Sequence, residues 1–325
     1  MVEQQLTLFQ PRVLNGVIEK FTTPETLLGL SLMPEVPSPT PTVEYDVIEG
    51  SRTMSTPNQP GAAAHVINRL GIRTISTSFI YLRDKKVLDA VTLRWLRQPG
   101  TWATPYAEQA VLREFRDLDN RMLRFWEWCV WQMFSGTLII ATSRVTANID
   151  YGIKPTHKPT AAPLWTAPGA KPDENIRTWK RLIARDSQSP ADSVYLNETT
   201  MGVFYEWAKA SGLLSEKQKD EYWETGRLSG PFGLDWIVYD LGYVDDAGNE
   251  QTYIPDGYIV MVSKDNEPWQ MLTGPSADDD SPEGTIGRFA KTWKTQDPSA
   301  RQILLEHIRF PALLRPDQVV YARVF

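Results

Sequence analysis

Three histidines are the first residues to weigh for chemistry, because imidazole is the commonest metal ligand and the side chain that carries protons near neutral pH. His65, His157 and His307 lie far apart in the chain, and none has a second His or a Cys at ligand spacing, so the sequence predicts no zinc centre. Asp245, Asp246, Asn249 and Glu250 have the composition of a calcium loop without the EF-hand spacing, and Ala247-Gly248 between them reads as a hairpin turn. Asp278-Asp279-Asp280, followed by Glu283, reads as a loop kept in water by its own repulsion. Trp126 with Glu127, Trp207 with Glu206 and Trp236 with Asp235 set an indole beside a carboxylate. A glycosidase uses such neighbours as a sugar platform next to an acid pair, but buried helix faces and protein interfaces use them equally well. No G-x-S-x-G, P-loop or G-x-G-x-x-G occurs. Residue types and spacing thus assign no catalytic, cofactor-binding or metal site.

The whole chain narrows the field further. Its 325 residues are about twice a typical domain, which favours two domains or one elaborated one. A hydrophobic fraction of 42% with 23% charged residues is that of a chain that folds. The net charge of -6 argues against a broad nucleic-acid grip, which needs clustered Lys and Arg. A lone cysteine, Cys129, excludes an internal disulfide and suits a reducing cytoplasm. Met1 to Val13 lacks the pattern of a secretory signal, and the longest apolar runs are strand-sized, so no membrane segment is expected. Twelve tryptophans and 24 prolines point to large aromatic contacts held by irregular, extended segments, a mixture that suits an assembly protein.

Local patterns give the elements. Residues 1 to 50 read as an extended arm, with Pro34, Pro37, Pro39 and Pro41 blocking regular structure and Val43 to Asp46 alternating like a strand. Such an arm is expected to lie on another domain or another subunit. From 51 to about 100, two β-like runs flank the turn cluster Pro57-Asn58-Gln59-Pro60-Gly61, and the second, Arg73 to Leu82, is rich in Thr, Ile, Phe and Tyr; this reads as a long hairpin.

Thr104 as N-cap, Pro105 at the first helical position and Gly136 at the end predict a helix over 105–135. Val111, Phe115, Leu118, Met122, Trp126, Cys129 and Met133 mark its buried face, while Arg113, Asp117 and Arg121 are spaced as i,i+4 ion pairs. Its second half, with Phe125, Trp128, Val130, Trp131 and Phe134 as well, is apolar all round and must be enclosed. Strands are expected at 138–142 and 147–151, then a proline-rich link over 155–172. Helices follow at 173–185, with Asp173 as cap, and at 199–211, ended by Gly212. Tyr253 to Val262 and Val319 to Val324 read as strands.

One segment carries unbalanced charge. Arg69, Arg73, Arg83, Lys85, Lys86, Arg94 and Arg97 face only Asp84 and Asp89, so 69–97 holds +5 and the remainder -11. Nucleic acid is one partner for it. Another copy is the other: a positive hairpin over a negative neighbour is the head-to-tail contact that closes rings and shells.

The order of arm, hairpin, long helix, short strands, mixed second domain and returning strand resembles the Hong Kong 97 fold. More narrowly, the chain resembles the lambda-type branch, the phage major capsid protein E family. The likeness lies in motifs that occur in the family's order. Thr42-Val43-Glu44-Tyr45-Asp46 leads into the hairpin, Pro60-Gly61 lies near its tip and Arg73 to Tyr81 returns. Arg121 to Gly136 with Glu127-Trp128, then Asn148-Ile149-Asp150-Tyr151-Gly152, come next. Trp165, Asp173 to Trp179 and Tyr253-Ile254-Pro255-Asp256-Gly257 follow. Gln296-Asp297-Pro298, Leu313-Leu314-Arg315-Pro316-Asp317 and Val319 to Val324 close the series.

The resemblance implies an α+β capsid fold. It comprises an N-terminal arm (1–50), an extended loop (51–103), a peripheral domain with the spine helix (104–155 and 275–325) and an axial domain (156–274). It implies no catalytic residue, cofactor or metal, but a subunit that builds hexamers and pentamers around packaged double-stranded DNA, located in the virion and assembled in the host cytoplasm. Its partners would be itself, with a decoration protein, a scaffold and a portal as candidates. Extended-loop residues Arg52, Asn58, Gln59, Pro60, Gly61, Arg69, Arg73, Arg83, Lys85 and Lys86 would meet neighbouring subunits, and Phe115, Met122, Trp126 and Trp131 would pack the spine helix. An encapsulin-like compartment and, from another class, a carbohydrate-active enzyme are the alternatives.

Overall fold

Pro105 at the start and a left-handed Gly136 (φ +89°) just past the end bound the longest helix, Pro105–Ser135. The structure, a computed structural model, describes residues 11–48, 54–55, 57–61, 72–89, 105–142, 145–225, 227–245, 247–282, 285–297 and 300–325. Thr104, Arg52, Arg69, Arg94, Arg97, His65, Asp246 and Glu283 lie outside them. Helices are α1 (Pro11–Ile18), α2 (Leu28–Ser31), α3 (Pro105–Ser135), α4 (Pro172–Ser187), α5 (Glu198–Ala210) and α6 (Glu216–Thr225). The chain divides into two compact units, one drawn from 1–44, 76–127 and 271–312, the other from 45–75, 128–270 and 313–325. Helix α3 belongs to the first unit as far as Glu127 and to the second from Trp128.

The first unit is organised by a 14-residue strand that no alternation in the sequence announces. Strands β1 (Glu35–Pro37), β13 (Trp269–Thr273), β15 (Ala300–Leu313) and β14 (Arg288–Thr295) run side by side in that order, with β4 (Ile80–Asp89) paired to β15 as well. Antiparallel β14 covers 300–307 of β15 on one edge and antiparallel β4 covers 300–309 on the other. Burial from Ile303 onward is continuous, as expected of a central strand covered on both faces. Val111, Phe115, Leu118 and Met122 of α3 pack on Leu88, Ala290, Ile303 and Leu305. Each such side chain taken out of water stabilises the unit by about 1.5–3 kcal/mol.

Residues 11–31 depart from the extended arm expected of them, whereas Val43 to Asp46 form the expected strand, within Thr42–Ile48. Leu14 and Ile18, one helical turn apart, are buried in this same core, with Val17 and Phe21 packed against it. Pro11 sits at the first helical position, where its missing N–H costs nothing. Asn15 completes the attachment: its Oδ1 accepts from the Ala290 amide at 2.8 Å and its Nδ2 donates to the Ala290 carbonyl at 3.2 Å. The prolines from 34 onward masked a short amphipathic turn upstream of them, and this part of the arm is buried by its own chain.

The second run of the expected hairpin also divides. β3 (Ile72–Ser78) pairs with β2 (Thr42–Ile48), whereas β4, after Phe79, joins the five-stranded sheet. Phe79 is buried at this break, beside Gly274. A methyl group on Gly274 would come within 2.7 Å of the Phe79 ring and 2.9 Å of Ile308 Cγ2. Gly274→Ala is therefore expected to lower stability by about 1–2 kcal/mol through overpacking, read as a shift of the denaturant midpoint at unchanged slope.

In the second unit, β16 (Val319–Arg323), β12 (Tyr258–Val262), β7 (Ser193–Leu196), β9 (Asp235–Val238) and β8 (Arg227–Ser229) form a sheet in that order. Its core takes Ile176, Trp179 and Ile183 from α4 and Met201, Phe204 and Ala208 from α5. The Trp236 ring stacks on Phe204 at 4.0 Å between centroids, and Trp165 lies 6.3 Å from Trp179. Asn197 caps α5, accepting from the Thr200 amide at 2.9 Å. Asp173, expected to cap α4, instead lies in its first turn, where its charge favours the helix N-terminus; the cap position is Lys171. The strand expected from Tyr253 begins only at Tyr258, because Gly257 turns at φ +77°. Two hairpins, β5 (Thr137–Ala141) with β6 (Thr146–Asp150) and β10 (Gly242–Val244) with β11 (Glu250–Thr252), complete the unit.

Candidate functional site

Glu127 is the carboxylate most clearly given a task. It stands inside the apolar half of α3, fully buried, and its Oε1 and Oε2 accept the Gly29 and Leu30 amides at 2.7 and 2.8 Å. Those amides open α2, whose own N-cap residue Leu27 offers no side-chain cap. Glu127 is thus a helix cap supplied from 98 residues away, and its neighbour Trp126 is core. The other indole and acid neighbours separate likewise: Trp236 stacks in the core and Trp207 packs against it, while Asp235 and Glu206 point to solvent. The sequence signal for the cap is a single acid set between two tryptophans on an otherwise apolar stretch.

Two histidines are buried among charges that sequence spacing does not bring together. In the second unit, His157 Nδ1 lies 2.8 Å from the Val319 carbonyl oxygen and Nε2 lies 3.1 Å from Asp186 Oδ2. Asp317 completes a group whose ligand-type atoms lie within 4.8 Å of one another, and Lys154 Nζ reaches Asp317 Oδ1 at 2.9 Å. With a carbonyl orienting the ring and an ammonium on Asp317, the cluster works as a buried hydrogen-bonded tie from Asp186 of α4 through His157 to the final strand. In the first unit, His307 Nε2 sits 2.9 Å from Asp119 Oδ1, which Arg288 Nε approaches at 3.7 Å. Burial pushes the His307 imidazole down to about 4 against the pull of Asp119.

The acidic loop at 278–280 is not simply solvated, as its composition suggests. Asp278 is buried and bound by Arg83 and by Lys291 (Nζ to Oδ1, 2.7 Å), while Asp280 accepts from the same Lys291 at 3.0 Å. Although burial pushes the Asp278 carboxyl up, the hydrogen bonds from Lys291 and the Asp280 amide and the charges of Lys291 and Arg83 leave it below the usual carboxylate range. Three acids in a row repel only while no cation from a distant strand stands beside them. Asp245, by contrast, does what a hairpin turn asks, accepting from the Ala247 and Asn249 amides at 3.0 and 2.8 Å.

The residues expected to meet other subunits fall into three groups. Asn58, Gln59, Pro60 and Gly61 are exposed, with Gly61 at φ +86° and the Asn58 side chain accepting from the Gln59 amide at 3.1 Å. Arg73 lies over Gly152: a Cβ there would fall 2.5 Å from its guanidinium, so glycine makes the room. Arg83, Lys85 and Lys86 alternate along β4. Arg83 turns to Asp278 and, at 3.5 Å, to Glu306; Lys86 turns to Asp117 and, at 2.8 Å, to Glu114 on α3. The Asp117 charge is taken first by Lys86 of the strand, with Arg121 one helical turn on as a weaker neighbour, and Arg121 also approaches Asp84 of β4 at 3.4 Å. Lys85 is exposed and, among the described residues, has no such partner. Half of the described basic set is thus neutralised inside the chain, a pairing that linear charge counting cannot see. Phe115, Met122, Trp126 and Trp131 are all buried, and Trp131 stacks on Tyr239 at 5.3 Å. Among the described residues no helix is long and apolar enough to cross a membrane.

With this geometry in view, the comparisons with known proteins are specific. The sequence model of a family described as phage major capsid protein E matches residues 11–324. No curated protein matches the chain. Among solved structures, a protein described as a prophage capsid protein of E. coli CFT073 is 15% identical, with a TM-score of 0.62 over 78% of this chain and 80% of its own. The capsid of Cyanophage P-SCSP1u is 9% identical, with a TM-score of 0.53 over 90% and 86%. The encapsulin of Synechococcus elongatus PCC 7942 is 9% identical, with a TM-score of 0.52 over 93% and 87%. These likenesses establish the capsid-type Hong Kong 97 fold.

Proposed function

From the premise that this chain belongs to the phage major capsid protein E family, we propose that its copies form the hexamers and pentamers of an icosahedral head enclosing the double-stranded DNA of a tailed phage. The single observation that carries this is the family match over 11–324, which spans both compact units. Glu127, Asp278, His157 and His307 each have a partner within their own compact unit. The subunit works through its surfaces and catalyses nothing. It resides in the virion after assembly in the host cytoplasm, with a decoration protein, a scaffold and a portal as further partners.

The domain names belong to the same proposal: arm for 1–50, extended loop for 51–103, peripheral for 104–155 with 275–325, and axial for 156–274. The loop's neighbour-facing part is its tip, around the exposed turn 57–61, because Arg83 and Lys86 already have partners in their own chain. Purified protein is expected to elute in the void volume and to show closed particles by negative-stain microscopy. Deleting 52–62 is expected to abolish closed particles while leaving the far-UV spectrum intact; normal particle yield from the deletion sinks the reading. An encapsulin-like compartment shares the fold. Mass spectrometry of what copurifies separates the two, since a cargo enzyme marks the compartment.

A further inference from the structure

The second unit carries a cleft of about 530 Å³ at the C-terminal end of α3, where Gln132 and Ser135 form one side. Its described lining includes two cations, Lys158 and Arg323, and no Asp or Glu. The two cations differ in their partners among the described residues. Lys158 makes no side-chain hydrogen bond or ion pair, and Arg323 donates only from Nε, to the Phe325 main-chain oxygen at 3.1 Å. Lys154, Lys171, Lys219 and Lys264 of the same unit each stand beside a carboxylate, whereas Lys158, like the exposed Lys209 and Lys217, does not among the described residues; what distinguishes Lys158 is its place in the cleft.

The two charges are held in place. The segment that bears Lys158 is laced to β16: the Arg323 amide donates to the Pro159 carbonyl at 2.9 Å, and the Ala161 amide to the Arg323 carbonyl at 2.8 Å. Gly136 makes room for the ammonium, since a Cβ there would fall 2.5 Å from Lys158 Nζ. The carbonyl end of α3 contributes a partial negative charge of about half a unit, well short of two full positive charges. Tyr258 and Tyr321 stack at 5.0 Å and 18° to give the cleft a flat wall. Burial pushes the Tyr321 phenol up, so it remains an O–H donor, and the Thr160 hydroxyl is a further one.

We propose that this cleft binds an oxyanion, a phosphate or a carboxylate group, between Lys158 and Arg323. A free ammonium and the terminal nitrogens of a guanidinium held by its Nε, with hydroxyl donors around them and no Asp or Glu in the described lining, are the chemistry such a group requires. The inference goes beyond the shell reading and does not depend on it. Two sources supply the same chemistry, a free small anion and an acidic side chain of a neighbouring copy.

Calorimetric titration of the full-length chain with inorganic phosphate, against chloride at constant ionic strength, tests the site. Saturable binding is expected, weakened at least tenfold in Lys158→Met and in Arg323→Gln and unchanged in Lys217→Met, which alters an exposed lysine of α6. Matching thermal melts qualify each variant, and either of the first two suffices if the other fails to fold. Binding by both unassembled chain and assembled particles assigns the anion to solution. Binding by the unassembled chain alone assigns the cleft to a neighbour's carboxylate. Absence of saturation, equal competition by chloride, or wild-type affinity in the qualified variants overturns the proposal.

Discussion

Replacing Glu127 by alanine is expected to lower the stability of the first unit by about 3–5 kcal/mol. The reason lies in what the carboxylate leaves behind. Gly29 and Leu30 are buried, and their amides at 2.7 and 2.8 Å from the two oxygens would lose their acceptor in a place water does not reach. An orphaned buried donor costs about 1–3 kcal/mol, and the loss of a negative charge at a helix N-terminus adds a few tenths to one more. Glu127→Gln keeps one acceptor oxygen but turns an NH2 group toward the second amide, so about half the loss is expected. Glu206→Ala, an exposed acid on α5, serves as control and should stay within about 0.5 kcal/mol of wild type. Hydrogen exchange gives the local reading: the Gly29 and Leu30 amides should exchange far faster in the alanine variant. Unchanged protection at those two positions would show that the cap is not what holds α2.

The features legible in the sequence were those that a local rule dictates. Pro105, Gly136 and the three-four spacing between them fix α3 because capping and helical periodicity act within a few residues. The Asp245 turn and the end of α5 at Gly212 follow for the same reason. The family likeness was legible for a different cause, because weak motifs kept their order along the chain. What stayed hidden depends on partners far away. β15 carries Glu306, His307 and Arg309 in a buried stretch, and only its place between β4 and β14 makes that run a central strand. α1 was lost behind the prolines that follow it, although Leu14 and Ile18 carry its spacing. That helix also changes the argument for a shell. A leading region draped wholly over neighbours is not what the first unit shows, since α1, α2 and β4 are held by their own chain. The container reading therefore rests on the family match, with the loop tip as its contact.

A second large effect is set by pH. His307 is fully buried on β15, facing Asp119 of α3 and Arg288 of β14, with Arg309 two residues along its own strand. Burial is the main reason its imidazole is pushed down to about 4; the Asp119 contact opposes this, and the charges of Arg309 and Arg288 add to it. A depressed value in the folded chain means that the native state resists a proton which the unfolded chain accepts near 6.5. The stability that this neutral ring contributes is complete above about pH 6.5, and it drains away as pH falls toward about 4. Between pH 7.5 and 4.5 the loss amounts to about 2–3 kcal/mol. Other groups titrate in the same window and not all in the same direction: burial raises the Glu306 carboxyl, whereas Asp278 is held low. Comparison with His307→Gln removes these shared terms, because both chains carry them. Denaturant unfolding at pH 7.5, 6.0, 5.0 and 4.5 should give a wild-type curve that falls more steeply than the variant's below pH 6.5, the difference between the two shifting by about 2–3 kcal/mol by pH 4.5. Parallel curves would mean that the proton is accepted in the folded chain as readily as in the unfolded one. Asp119, rather than burial, would then govern the ring.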